Sequence, residues 1–236
     1  MTISPRLTRT ALLVGEEGVQ TFQNATVMII GVGAVGGYAL EAVARAGIGH
    51  ILLVDFDTFD ESNVNRQILA LTSTIGRKKV DVAKERVLEI NPACRVEIFD
   101  LFVNADTLPD LLSHHADIVI DAIDSLSAKC CLIEELVKRQ IPFISSMGAA
   151  LRTDPSKIRL STLDKTQNCG LAKMLRQRLR HNGVNLQQIK CVYSDEPAAK
   201  TAQISDSHVL GSLPTITAIF GLTLANEVLR TLLKKG

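Results

Sequence analysis

The sequence predicts an α/β protein: a doubly wound, mostly parallel sheet with a nucleotide-binding glycine turn and a C-terminal extension. Three observations around Met28–Gln67 carry that prediction. An apolar run, Val27 to Ile30, is short enough for a buried strand, and Gly31, Gly33 and Gly36 follow at dinucleotide-fingerprint spacing. A helical pattern then continues from Tyr38 to Ala46. A second apolar run, Ile51 to Val54, ends on Asp55. Strand, glycine turn, helix, strand and acid in that order make a Rossmann-like unit. An anion is favoured at the helix N-terminus, where unpaired N–H groups and the dipole converge. An acid some twenty residues on is placed for a ribose hydroxyl. The alternative is a glycine turn that only lets helix and strand pack closely.

The residues after Asp55 argue against a nicotinamide cofactor, which needs one acid at the strand end. This chain continues with Asp57, Asn63, Asn65, Arg66 and Gln67, then Gly76-Arg77-Lys78-Lys79. An arginine and a lysine converging beyond the glycine turn suit the larger charge of a triphosphate. Another strand-like run, Ile118 to Ile120, leads into Asp121-Ala122-Ile123-Asp124. Asp124 is placed to hold Mg²⁺, which binds through one or two carboxylates together with phosphates. Against this, Arg66 and Lys79 read equally as solvated surface charges, and Asp124 as a helix N-cap.

Farther along, the pattern predicts a helix over Ala128–Arg139, a strand over Phe143–Ser146, and turns at Met147-Gly148 and Asp154-Pro155. Apolar and polar residues alternate across Ile158–Leu163, the mark of a strand with one exposed face. From Lys165 to Lys190 the chain holds no Asp or Glu. Leu171, Leu175 and Leu179 make one apolar helix face, while Lys173, Arg176 and Arg180 make a basic one. With Lys165, these are the candidate contacts to a phosphate backbone. The competing reading is a solvated helix face. No aromatics interleave, so base stacking by this helix is not indicated.

Composition fits one compact enzyme spanning 1–236, with a core over about 20–150 and a substrate-binding part over about 151–236. At 236 residues and 46% hydrophobic, the chain can bury one full core. A net charge of +1 gives no global polyanion signal. No apolar signal region precedes Met28, so a cytoplasmic protein is expected. The apolar stretch Val209–Leu224, with Pro214 near its start, reads as a core helix and not a membrane span. The five cysteines contain no CxxC pair, so no four-thiolate zinc site is expected. Cys130 and Cys131 read as buried helix thiols. Cys169 and Cys191 have more polar sequence neighbours, which leaves either open as a reactive thiol.

In order, GVGAVGG, LVDFD, NVNRQ, GRKK and DAID resemble the ubiquitin-activating-enzyme superfamily and its bacterial relatives, from about Arg9 to Met147. Those proteins adenylate a carboxylate with ATP. The resemblance implies that Gly31, Gly33 and Gly36 cradle the nucleotide and that Asp55 takes the ribose. It assigns Asn63, Arg66 and Lys79 to the phosphates, with Asp57 and Gln67 beside them and Asp124 near Mg²⁺. Arg9, in SPRLTRTALLVGEEG, resembles an arginine that such dimers supply to the partner's ATP. Beyond Met147, DKTQNCGLAKMLRQRLR and VYSDEP resemble the bacterial tRNA threonylcarbamoyladenosine dehydratases. This zinc-less branch cyclises a modified adenosine beside the anticodon. The chain departs from that pattern at Gly170-Leu171-Ala172 and over Ala198–Ser212.

The implied cofactors are therefore ATP and Mg²⁺, and the implied partners are tRNA and a second copy of the chain. Two other readings stand beside this one. The first is adenylation of the C-terminus of a ubiquitin-like sulfur carrier or a peptide, with a sulfur-transfer partner; the missing zinc pairs weigh against it. The second is a nucleotide-binding regulatory or scaffold protein, against which the intact Asn63, Arg66, Lys79 and Asp124 set speaks.

Overall fold

The first strand, β1 (Thr26–Ile30), is buried at every position, because it runs through the middle of a sheet covered on both faces. The structure is a computed structural model and describes residues 3–199 and 210–234. Among these, β1 is joined by β2 (His50–Val54), β3 (Arg95–Phe99), β4 (Ile118–Asp121), β5 (Phe143–Ser146), β6 (Ile158–Thr162) and β7 (Lys190–Ser194). They form one sheet in the order β3-β2-β1-β4-β5-β7-β6. All neighbours pair in parallel except β6 and β7. The helices are α1 (Thr8–Asn24), α2 (Gly36–Ala46), α3 (Lys79–Ile90), α4 (Leu108–Leu111), α5 (Leu126–Lys138), α6 (Gly170–His181) and α7 (Pro214–Leu233).

Side chains of β1 alternate between two cores. Val27 and Ile29 pack with residues of α2, α3 and α7, while Met28 and Ile30 pack with residues of α4 and α5. A third cluster lies between α5 and α6 and includes Leu175, Leu179 and Ile133. The predicted strands and helices are present with shifted ends. The helix predicted to start at Ala128 begins at Leu126, and the strand predicted to reach Leu163 stops at Thr162. The apolar stretch Val209–Leu224 becomes helical at Pro214 and continues to Leu233. Ile216, Phe220, Leu224, Val228 and Leu232 recur every four residues and are all buried, so α7 is a core helix packed on α2 and β5. By length and apolarity alone it would also pass for a membrane span. The helices α1, α3 and α4 and the strands β3 and β7 escape the sequence reading. The edge strand β3 is only half-buried and carries Arg95 and Glu97, which blurs its alternation. Helix α3 buries Val80, Ala83 and Val87 on one side, but opens on the buried Lys79 among flanking charges. The stretch Ala198–Ser212, where the sequence departs from the family pattern, falls largely outside the described residues.

The chain steps outward from β1 to β2 and β3, then returns to place β4 on the other side of β1. That reversal puts a crevice beyond the carboxyl ends of β1 and β4, the place where open α/β sheets bind ligands.

Candidate active site

Three adjacent strands deliver the predicted residues to this crevice. Ile30, at the end of β1, lies in register with Val54 of β2 and Asp121 of β4. The glycine turn, Asp55 and the Asp121–Asp124 turn therefore leave the sheet at the same level. Two glycines are demanded by packing. Gly31 has φ +90°, and a Cβ there would stand 2.8 Å from the Ala122 carbonyl oxygen. A Cβ on Gly36 would come within 1.8 Å of the Gly31 carbonyl oxygen. Gly33 differs, since a Cβ there would meet only the Gln67 side chain, at 3.8 Å. Its missing side chain leaves open space at the mouth of the turn, just before the N-terminus of α2.

The acid after β2 closes the turn. Asp55 is buried, and its Oδ2 accepts the Val32 N–H at 2.7 Å while Oδ1 accepts the Asp57 N–H at 2.9 Å. Burial pushes its carboxyl above the usual range despite these two bonds and the nearby Lys79 charge. Asp57 in turn accepts from the Lys79 ammonium at 2.9 Å. Lys79 opens α3 and is only 6% exposed, whereas its sequence neighbours turn away: Arg77 pairs with Glu85, and Lys78 with Asp100. Of the basic run, Lys79 alone faces the acids that follow β2.

The NVNRQ segment is a short helical turn held by its own polar groups. Asn63 Oδ1 accepts the Asp60 N–H at 3.2 Å. Arg66 donates to the Ser62 carbonyl and to Asn65 Oδ1, both at 2.8 Å, and no carboxylate partner is present for it among the described residues. The hydroxyl of Thr217 on α7 donates to the Arg66 carbonyl at 3.4 Å. Gln67 is buried beside Gly33, and its Oε1 has no hydrogen-bond partner. A buried carbonyl oxygen left unpaired is costly, which calls for a hydrogen-bond donor in the space Gly33 leaves open. Asp124 is exposed on the turn between β4 and α5. These residues fit a nucleotide triphosphate with its cation: a glycine cradle, a strand-end acid, two cations and one free carboxylate.

Two predicted groups lie elsewhere. Arg9 is exposed on the first turn of α1. Two residues before it, Leu7 packs on Gly47, which closes α2 at the end opposite the glycine turn. The length of α2, about 16 Å, thus separates Arg9 from its own subunit's turn. On α6, Lys173 and Arg180 are exposed, as is Lys165 before the helix. Arg176 is instead turned inward, donating to the Thr166 carbonyl at 2.8 Å and to its hydroxyl. Arg178 reaches Ser127 Oγ at 3.3 Å, tying α6 to α5.

The cysteine reading needs correction. Cys169 and Cys191 are both buried, despite polar neighbours in sequence. Burial pushes the Cys191 thiol up to about 12. The Cys169 sulfur accepts the Ala172 N–H at 3.4 Å and so caps α6. Sequence reasoning also missed Lys129 and Ser145, which meet Asp121 under the crevice.

The sequence profile of the ThiF family matches residues 7–236. The chain belongs to the ThiF family. The resemblance drawn from its motifs is borne out by its relatives. A Bacillus subtilis tRNA threonylcarbamoyladenosine dehydratase is 44% identical over 191 residues, covering 81% of this chain and 75% of that protein. The Escherichia coli protein of the same name is 34% identical, covering 96% of this chain and 93% of that one. A crystal structure of the Escherichia coli enzyme in complex with ATP superposes with a TM-score of 0.92 and 37% identity. It covers 100% of this chain and 98% of the other.

Proposed function

We propose that this chain dehydrates threonylcarbamoyladenosine in tRNA, using ATP to adenylate the threonyl carboxylate so that the side chain cyclises. The carrying observation is likeness along essentially the full length to a dehydratase solved with ATP, 37% identical. The site's own geometry supports the same reading, because its cations and its free carboxylate suit a triphosphate better than a dinucleotide.

The chemistry follows from the leaving groups. A carboxylate oxygen cannot leave, so the substrate oxygen attacks the ATP α-phosphorus and pyrophosphate departs. Negative charge grows on the α-phosphate and the pyrophosphate, where Arg66, Lys79 and the N-terminus of α2 stabilise it electrostatically. Asp55 and the glycine turn fix the nucleoside, and Asn63 and Gln67 orient the phosphates. Asp124 would hold Mg²⁺, which would supply charge neutralisation to the triphosphate. The adjacent ureido group then closes onto the acyl carbon, AMP departs and one proton is released. An intramolecular attack of this kind reaches effective molarities on the order of 10⁵ M, so no enzyme nucleophile is needed.

The working form is a cytoplasmic homodimer in which Arg9 reaches the partner's ATP. In support, Arg9 lies far from its own glycine turn. Its helix presents Leu12 and Leu13, 83% and 86% exposed, beside the kink at Gly15. A soluble protein buries such a pair against a partner. Lys165, Lys173 and Arg180 give the tRNA backbone a basic track.

The test is mass spectrometry of anticodon-loop nucleosides after incubating modified tRNA with the protein and Mg–ATP. The expected product is lighter than the starting nucleoside by one water, with one AMP and one pyrophosphate formed per turnover. ATP consumption with an unchanged nucleoside would overturn the assignment.

A further inference from the structure

Beneath the exposed Asp124 lies a charged cluster with no access to solvent. Asp121 closes β4, and Lys129 sits in the first turn of α5; both side chains are 0% exposed. The Lys129 ammonium donates to Asp121 Oδ2 at 2.7 Å and to Ser145 Oγ on β5 at 3.2 Å. Ser145 donates to the same Asp121 oxygen at 2.6 Å. The other oxygen, Oδ1, accepts the Ile123 N–H at 3.1 Å and so bends the chain directly after the strand. Between these anchors, the Ala122 N–H donates to the Ile30 carbonyl at 2.8 Å, and the Ala122 carbonyl lies against Gly31.

A buried ion pair is poor value as a stabiliser, since apolar residues of similar volume do as well or better. This one is placed where stability is not the obvious gain. It joins β4, β5 and α5 at the root of the turn that carries Asp124 and buttresses the glycine turn. A lysine near a helix N-terminus is also opposed by the helix dipole. Groups behind a metal-holding carboxylate set its orientation, and their loss weakens metal binding while ligands remain.

We infer that Asp121 and Lys129 are positioning residues: the pair fixes the Asp121–Asp124 turn so that Asp124 meets the cation of Mg–ATP. This rests on the adenylating reading above for the role of Asp124. Both side chains are fully buried and so are not open to a bound ligand.

Two double variants separate positioning from packing. Asp121→Asn with Lys129→Met removes both charges and keeps an oxygen for the Ile123 N–H. Asp121→Leu with Lys129→Met removes that oxygen as well. Calorimetric ATP affinity, with and without Mg²⁺, is the first readout. The Asn/Met protein, which loses the pair but keeps the Ile123 bond, should lose several-fold of the wild-type gain from Mg²⁺. The Leu/Met protein should bind metal-free ATP normally yet lose roughly tenfold or more of that gain. Pyrophosphate release should fall alongside, with KM for Mg–ATP rising in step with the lost affinity and KM for tRNA unchanged. Ser145→Ala, a milder change, should lose a few-fold of the Mg²⁺ gain and keeps the test alive if the Leu/Met protein does not fold. Equal Mg²⁺ gains in all folded variants would overturn the inference, as would a wild-type protein whose ATP affinity ignores Mg²⁺. A wild type that shows the gain but leaves the tRNA nucleoside unchanged would overturn the function reading alone.

Discussion

Two sets of cations in this chain are built on opposite terms. Around the glycine turn, Lys79 is buried and docked on Asp57, and Arg66 is bonded to a carbonyl and an amide oxygen. On α6, Lys173 and Arg180 stand free in solvent. In the proposed reaction the first set stabilises charge that develops at one phosphorus atom, where misplacement by an ångström is costly. The second set, on the same proposal, meets a polyanion whose phosphates repeat along a strand, where local charge density suffices. Arg176 crosses this division: it lies on the basic helix but is committed to Thr166.

The largest expected effect comes from breaking the fixed set. Lys79→Ala should lower adenylation by about 10²–10³-fold, as removal of one donor to a developing oxyanion does. Arg66→Ala should act similarly, and the melting temperatures should move little by comparison. Near-normal pyrophosphate release from a folded double variant would reduce both residues to surface charges. Next comes the partner's contribution. Inactive Arg9→Ala and inactive Asp124→Ala proteins, mixed and allowed to exchange subunits, should regain about a quarter of wild-type activity. Half the dimers are then mixed and each has one complete site. Exchange without recovery would place Arg9 outside the mechanism.

Breaking the loose set should give smaller, salt-dependent effects. Replacing Lys173 and Arg180 by Gln should flatten the salt dependence of tRNA binding by about 0.9 unit per lost phosphate contact, with ATP binding intact. Arg176→Gln alone should change that slope little and instead lower the melting temperature, because the Thr166 carbonyl loses its donor. A full unit of slope lost with Arg176 would show that it leaves Thr166 to meet phosphate. The smallest effect is expected at the thiols. With its thiol pushed up to about 12, Cys191 should resist alkylation of the native protein at pH 8, and Cys191→Ala should keep activity within about twofold. Loss of turnover on selective alkylation there would reopen a thiol mechanism.

The same contrast explains what was legible in the sequence. Gly31, Gly36 and Asp55 could be read because backbone geometry leaves few residue types able to stand there. Charges on α6 could be read because helix periodicity alone sorts them from Leu175 and Leu179. Pairings across distant segments could not. Nothing local marks Lys79 as the one inward member of Gly76–Lys79, and Lys129 looks like any charge on an amphipathic helix until β4 and β5 are laid beside it. Cys169 and Cys191 misled for that reason, since polar neighbours along the chain say little about neighbours in space. Arg176 belongs to the same class: its partner Thr166 precedes the helix on a loop whose path no periodicity describes.

If Lys79 takes the ATP phosphates as proposed, its contact with Asp57 gives nucleotide capture the character of a partner exchange. The lysine meets ATP already neutralised, so its ammonium has been stripped of most bulk water before any phosphate arrives. What changes on binding is which anion it faces, and Asp57 is released toward solvent, where it is already half-exposed. Capture at this point therefore involves little fresh dehydration of the cation. A diphosphate or a stray anion gains little by displacing so near a carboxylate, whereas a longer phosphate chain, anchored at its far end by the glycine turn, competes from an already tethered position. On that proposal the resting pair would act as a threshold that weak anions fail to cross.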